Sequence, residues 1–161
     1  MNLRNSLIFI FFVGFLFSCD KKRIFDHYET VGSAWNKNQT VSIKLPEIDS
    51  TKNYNLFINL RANNDFPYSN LFLIVSLEQP DGFTKVDTLE YEMANAEGKL
   101  LGDGFSDVKE SKLVYKENNR FKFAKNNTIY IKQAVRQSGK VTGIEKLDGI
   151  TEVGFRIESL Q

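Results

Sequence analysis

Apolar side chains recur at every second residue in short segments along most of this chain. The clearest segments are residues 54–60 and 153–157. The same period occurs in residues 71–77, 89–93 and 129–135, and shorter apolar segments lie at 41–45, 113–115 and 121–123. A two-residue period places alternate side chains on opposite faces of a strand, so each segment predicts a β-strand. Val86 is out of phase with residues 89–93, and a β-bulge near Asp87 would reconcile the two.

Turn-forming residues separate these segments, as at Pro80-Asp81-Gly82, Asn126-Asn127 and Ser138-Gly139. About eight short strands without a 3.6-residue period predict an all-β fold, a single antiparallel β-sandwich of jelly-roll type. A closed up-and-down barrel is the alternative. The chain has one cysteine among its 161 residues, so this core must be held by packing without an intramolecular disulfide.

The amino-terminal residues have the pattern of an export signal. A cationic start at Met1–Arg4 precedes an apolar run from Leu7 to Phe17, which is shorter than the roughly 20 residues of a membrane-spanning helix. The ending Leu16-Phe17-Ser18-Cys19 resembles the lipobox of bacterial lipoproteins. We therefore predict a cleaved lipoprotein signal peptide at 1–18, a lipid-anchored tether at 19–30 and the sandwich domain at 31–161. A buried Cys19 in an uncleaved helix is the alternative.

Charge and composition exclude several classes of function. The chain carries 21 Lys and Arg against 20 Asp and Glu, whereas a nucleic-acid-binding protein would show a basic excess. His27 is the one histidine in the chain, so a catalytic triad or zinc site would have no second imidazole. Glu90 and Glu92 share a strand face at a spacing that glycoside hydrolysis could use, but alternating acids are also typical of a solvated sheet face. We expect no enzymatic activity and no cofactor.

The loop GDGFSDVKE contains Asp103, Asp107 and Glu110. Their oxygen atoms could bind calcium, but the spacing differs from that of an EF-hand. A polar loop is the favoured interpretation, and no metal site is predicted.

Two loop segments are candidates for contacts with a partner protein. Residues 95–112 show no strand pattern, and their apolar side chains, Leu100, Leu101 and Phe105, argue against disorder. Residues 61–70 join two predicted strands and contain Arg61, Phe66 and Tyr68. These aromatic residues could bind a sugar or a protein, or they could cap the open end of the sandwich, which is the favoured alternative.

Several segments, in this order, carry a resemblance to a known family. They are Trp35, residues 61–70 followed by LFLIV, DTLEYEMA from Asp87, GKLLGDG from Gly98, KLVY from Lys112, IYIKQAVR from Ile129 and GITEVGFRIE from Gly149. Together with the lipobox, they resemble the gliding motility-associated lipoprotein family GldH. Leu100 stands where an aromatic residue is expected in that family.

The resemblance implies a non-enzymatic envelope lipoprotein of gliding Bacteroidota, linked to the machinery that exports and drives surface adhesins. It implies that Cys19 is acylated with palmitate-like chains and contacts the bilayer, and that other gliding and secretion proteins are partners. We expect an outer-membrane lipoprotein that faces the periplasm. Asp87-Thr88-Leu89 resembles the O-glycosylation motif of this bacterial group, although an ordinary strand at Thr88 fits equally well. The alternative function is a carbohydrate-binding lipoprotein, which requires exposed Phe66 and Tyr68.

Overall fold

A computed structural model describes residues 20–104, 106–137, 139 and 142–160. The described residues form ten strands and no helix. The strands are β1 (Arg23–Thr30), β2 (Ala34–Asn36), β3 (Val41–Lys44), β4 (Asn53–Ala62), β5 (Asn70–Glu78), β6 (Thr84–Glu92), β7 (Lys109–Arg120), β8 (Thr128–Gln133), β9 (Lys146–Asp148) and β10 (Ile150–Ser159). The predicted all-β class is confirmed.

The strands form two four-stranded sheets and one small ribbon. One sheet, here called sheet A, has the order β1-β10-β4-β7, and the other, sheet C, has the order β3-β8-β5-β6. The ribbon pairs β2 with β9. Every strand pair is antiparallel, so the architecture is the antiparallel sandwich that the alternation indicated.

The core lies between the two sheets and is made by the alternating residues. From sheet A, Leu56, Ile58 and Phe155 are fully buried, and Leu73 and Ile131 face them from sheet C. The indole of Trp35 is also fully buried and donates a hydrogen bond of 3.1 Å to the carbonyl of Gln39. The β2-β9 ribbon therefore closes one end of the core.

The outer face of sheet A is also covered, which the alternation in β4 did not predict. Phe57, on that face, is only 9% exposed, because the Lys112 ammonium lies 4.2 Å from its ring centroid. Asn59, two residues on, is 2% exposed and donates a hydrogen bond to the carboxylate of Asp26. Charged side chains from neighbouring strands thus form a second layer over β4.

Three local features differ from the sequence prediction. Strand β6 pairs with β5 without a bulge, so Asp87 faces inward and Val86 is 58% exposed on the outer face. Asp87 tolerates its position because it accepts a hydrogen bond from Tyr115 and pairs with Lys116, both at β7. Residues 121–123 lie in a loop rather than a strand. Strand β7 starts at Lys109, within the stretch that showed no strand pattern.

Strand β1 lies in the segment that was assigned to the tether. It pairs with β10 along Arg23–Thr30. The sequence of β1 does not alternate between apolar and polar residues, because the side chains on its inner face are those of Phe25, His27 and Glu29. Strand β1 is at the edge of sheet A. The sheet therefore begins only a few residues after Cys19.

The strand registers define two ends of the sandwich. Arg23 pairs with Glu158, Tyr54 with Ser159 and Glu78 with Thr84. These pairs place residues 20–22, 45–52, 79–83 and 121–127 at one end, which we call the anchor end. Residues 31–40, 63–69, 93–104, 106–108, 134–137 and 142–145 lie at the opposite, distal end.

Candidate functional site

The two candidate loops lie side by side at the distal end. The backbone N–H groups of Met93 and Ala94 both donate to the carbonyl of Ser69, at 2.6 and 3.2 Å. The Asn64 amide lies 3.5 Å from the Asp107 carboxylate. We call the surface formed by residues 63–69, 93–104 and 106–108 the distal loop surface. The sequence predicted each loop separately, and the fold joins them.

The first loop is fixed by a turn and by a glycine beneath it. Asn63 accepts a hydrogen bond of 3.0 Å from the N–H of Asp65 through its side chain, and its carbonyl accepts one from Phe66. Gly149 has a φ of 81° and no side chain. A Cβ atom at this position would lie 2.1 Å from the backbone nitrogen of Phe66. Only glycine allows the loop to pack this closely.

The aromatic residues of this loop mainly close the core. Phe66 is 6% exposed, and its ring meets that of Tyr68 edge-on with 6.0 Å between centroids. Tyr68 is partly buried against the same core. Because Phe66 is buried, the arrangement fits the capping interpretation and does not supply the exposed aromatic pair that sugar binding requires.

The second loop is held by local backbone pairing. Ala94 forms an isolated antiparallel β-bridge with Leu100, and Asp103 forms another with Glu110. Leu100 packs against the core, whereas Leu101 is 39% exposed and Val108 is 38% exposed. Phe105 lies outside the described residues. Of the two predicted contact residues that the structure describes in this loop, Leu101 is the more exposed, and Val108, which the sequence did not single out, is exposed to the same degree.

Arg61 is engaged within sheet A. Its guanidinium pairs with Glu152 at 2.6 Å and Glu110 at 3.1 Å, and it lies 4.5 Å from the centroid of the Tyr28 ring. The hydrogen bond that Arg61 donates to Glu152, followed by the one that it donates to Glu110, raises the pKa of Arg61 above its ordinary value. This arginine links β4, β7 and β10 beneath the distal loop surface, and its charge is already balanced.

A second charged cluster lies on the outer face of sheet A, and the sequence analysis did not predict it. Arg156 contacts three carboxylates, those of Asp20, Asp26 at 2.9 Å and Glu158 at 2.6 Å. Lys112 also pairs with Glu158 at 2.6 Å. Burial alone would raise the pKa of Glu158, but the hydrogen bonds from Lys112 and Arg156 outweigh burial and lower it. The partners are up to 136 residues apart in sequence, so only the positions of Arg156 and Glu158 on one strand face hinted at the cluster.

The groups considered for catalysis or metal binding make the following contacts among the described residues. His27 pairs with Glu29 at 2.9 Å and is about half exposed. Glu90 accepts a hydrogen bond from Asn70. In the described part of the chain, His, Cys, Asp and Glu side chains form no cluster of three or more that could bind a metal. Residues 20–104, 106–137, 139 and 142–160 also include no helix that is long and apolar enough to cross a membrane.

Thr88 is exposed on the outer face of sheet C, opposite Ile74 of β5. It borders an open groove of about 340 Å³ lined also by Phe72, Ile74, Ala134 and Arg136. The hydroxyl is therefore accessible, and its glycosylation stays a prediction. Cys19 lies outside the described residues, directly before Asp20.

Solved structures that this chain is similar to include two distant likenesses. A family GH115 4-O-methyl-α-glucuronidase aligns with a TM-score of 0.46 and 12% identity, covering 89% of this chain and 18% of that one. The VP2 subviral particle of infectious bursal disease virus aligns with a TM-score of 0.38 and 16% identity, covering 88% of this chain and 34% of that one.

Sequence comparison gives close relatives. The Gliding motility lipoprotein GldH of Flavobacterium johnsoniae is 61% identical over 158 residues, 98% of each chain. The Gliding motility lipoprotein GldH homolog of Christiangramia forsetii is 54% identical over 154 residues, 96% of this chain and 94% of that protein. The family model described as GldH lipoprotein matches residues 23–157. These matches span nearly the whole chain and confirm the resemblance that its segments suggested, and the chain belongs to the GldH family of gliding motility lipoproteins.

Proposed function

We propose that this lipoprotein is a non-enzymatic assembly component of the gliding apparatus, held at the outer membrane through acylated Cys19 and facing the periplasm. In this proposal its distal loop surface binds another protein of the machinery that exports or drives surface adhesins. The observation that carries the proposal is the separation of the two ends. Both loops predicted as contact sites meet at the end of the sandwich opposite the one where the described chain begins, at Asp20.

The chemistry of the distal loop surface supports a protein partner. Leu101 and Val108 are exposed apolar side chains, and the same loops carry the polar side chains of Asn64, Asp65 and Asp107, of which Asn64 and Asp107 are in contact. Protein interfaces usually combine apolar and polar groups in this way. Few apolar anchors often provide most of the binding energy, so these two side chains are the ones to test.

The backbone of this surface is preorganised, which lowers the entropic cost of binding. Gly102 packs so closely that a Cβ atom would lie 2.5 Å from the carbonyl oxygen of Glu110, and the Lys109 ammonium donates to the carbonyl of Gly104. Leu101 donates its N–H to the carbonyl of Met93 at 2.8 Å. The exposed leucine is thus held in one place before any partner arrives.

The test replaces the apolar pair in a chromosomal copy of the gene. We expect Leu101→Asp with Val108→Asp to abolish gliding on glass in single-cell tracking, because a charge at the centre of an apolar contact carries a large desolvation cost. Export of a surface adhesin, scored in the same cells, shows whether the defect lies in secretion or in propulsion.

Val114→Asp is the matched control, since Val114 is 47% exposed near the middle of β7, away from both ends of the sandwich. Immunoblots of membrane fractions establish that each variant accumulates and remains anchored. Normal gliding by the double variant, at normal protein level, would contradict the proposed contact surface.

A further inference from the structure

The fold begins immediately after the predicted lipid anchor. Asp20, the residue that follows Cys19, forms an ion pair with Arg156 of β10. Its side chain also accepts a hydrogen bond of 3.3 Å from the N–H of Lys22, and its carbonyl accepts one of 3.2 Å from Arg23. Consecutive Cα atoms are about 3.8 Å apart, so this spacing leaves no room for a flexible tether.

The next residues are fastened to the end of the last strand. The carbonyl of Lys22 accepts hydrogen bonds from the N–H of Ser159 at 2.8 Å and from its hydroxyl at 3.3 Å. Acyl chains on Cys19 would therefore hold the whole anchor end of the sandwich at the bilayer surface. A flexible linker between anchor and domain would not impose this position.

The anchor end carries exposed apolar side chains. Ile24 is 47% exposed, Leu160 is 45% exposed and Phe83 is 58% exposed. Phe83 lies at the tip of the β5-β6 hairpin, where its carbonyl accepts a hydrogen bond from Gln79 and its N–H donates to Asp81. An exposed aromatic side chain on a fixed turn is suited to the bilayer interface, where aromatic rings are enriched.

The charges at this end complement an anionic surface. Lys21, Lys22 and Arg23 are exposed and form no ion pair with any described residue. The acids of the adjoining loops are already paired: Asp49 with Lys52, Asp81 with Lys122 and Glu47 with Lys125. The free charge beside Cys19 is therefore basic, and basic residues next to an anchor are attracted to anionic headgroups.

We propose that the anchor end lies directly on an anionic phospholipid bilayer, with Phe83 entering the headgroup region. This inference rests on the proposed acylation of Cys19. Strand β1 lies at one edge of sheet A, and β6 lies at the far edge of sheet C, where Tyr91 of β6 donates to the carbonyl of Val114 in β7. Strand and sheet spacings put these corners roughly 17 Å apart.

Two contacts at that separation restrict the tilt of the domain along the line that joins them, which a lipid anchor alone cannot do. Strand β4 has 10 residues, so the strands alone separate the distal loop surface from the anchor end by about 33 Å. The orientation directs that surface away from the lipid and toward partners.

The experiment measures how close each end comes to lipid. The acylated chain with Phe83→Trp is reconstituted in vesicles of three parts phosphatidylethanolamine to one part phosphatidylglycerol, with brominated acyl chains as quencher. Leu101→Trp, at the distal end, is the matched control. The natural Trp35 is fully buried in the core and provides the same background in both variants.

We expect bromolipid to quench the Phe83→Trp emission severalfold more strongly than the Leu101→Trp emission, and we expect this difference to shrink without phosphatidylglycerol. A floating chain with equal quenching at the two positions, or with no quenching at position 83, would overturn the orientation while leaving the anchor intact. A chain that does not float with the vesicles would overturn the anchor itself, and with it this inference.

Discussion

Single residues decide whether the distal loops can pack, and Gly149 is the clearest case. Its φ of 81° lies in the left-handed region, and the backbone of Phe66 occupies the space where a Cβ atom would project. The loop therefore depends on a residue more than 80 positions along the chain. No pattern within residues 61–70 reveals that dependence, which explains why the burial of Phe66 was only one of two alternatives in the sequence.

Gly149→Ala tests this dependence. We expect it to lower the free energy of unfolding by more than about 2 kcal/mol, because the left-handed φ costs about 1–2 kcal/mol for an L-residue and the clash with Phe66 adds to it. Urea unfolding followed by Trp35 fluorescence measures the change.

Gly98→Ala is the control. Gly98 has nearly the same φ, 79°, but a Cβ atom there would meet nothing within 4 Å. The Gly98→Ala variant should lose only the free energy that the left-handed φ costs an alanine, about 1–2 kcal/mol. Equal losses in the two variants would show that the contact between Gly149 and Phe66 does not constrain the fold.

At the scale of elements, local alternation revealed the central strands but not what covers them. Strands β4, β5 and β10 were predicted because their inward side chains are uniformly apolar. Strand β1 was missed because its inward side chains are mixed. The ion pairs over sheet A escaped prediction as well, since Asp26 and Arg156 meet only through the pairing of β1 with β10.

This charged layer predicts a pH dependence of stability. The pKa of Glu158 is lower in the folded chain than its ordinary value, so the native state binds fewer protons than the unfolded state in acid. The contribution of Glu158 is fully present above the ordinary pKa of about 4.3 and is lost as the pH falls through its lowered folded value.

Urea unfolding at a series of pH values between neutral and about 3 tests this effect, with Glu158→Gln as the comparison. We expect the variant to be less stable than the natural protein at neutral pH and to lose less stability on acidification. Parallel curves for the two proteins would contradict the role assigned to Glu158 at the centre of the layer.

At the scale of the whole molecule, the proposed function assigns separate tasks to the two ends of the fold. The alternation predicted the sandwich, and the lipobox-like ending predicted the anchor. Their geometric relation required the strand registers, because only the pairing shows that residues 61–70, 95–104 and 106–108 lie at the end opposite Asp20. In the function proposed above, the molecule acts as a short spacer, with one end toward lipid and the other toward a protein partner.

The most direct test of this division is photocrosslinking in gliding cells. A photoreactive amino acid is placed at position 101 in one strain and at position 83 in another, and adducts are separated into protein and lipid species. The account predicts a discrete protein adduct from position 101 and a lipid adduct without a protein partner from position 83. The reverse pattern, or the same protein adduct from both positions, would contradict it.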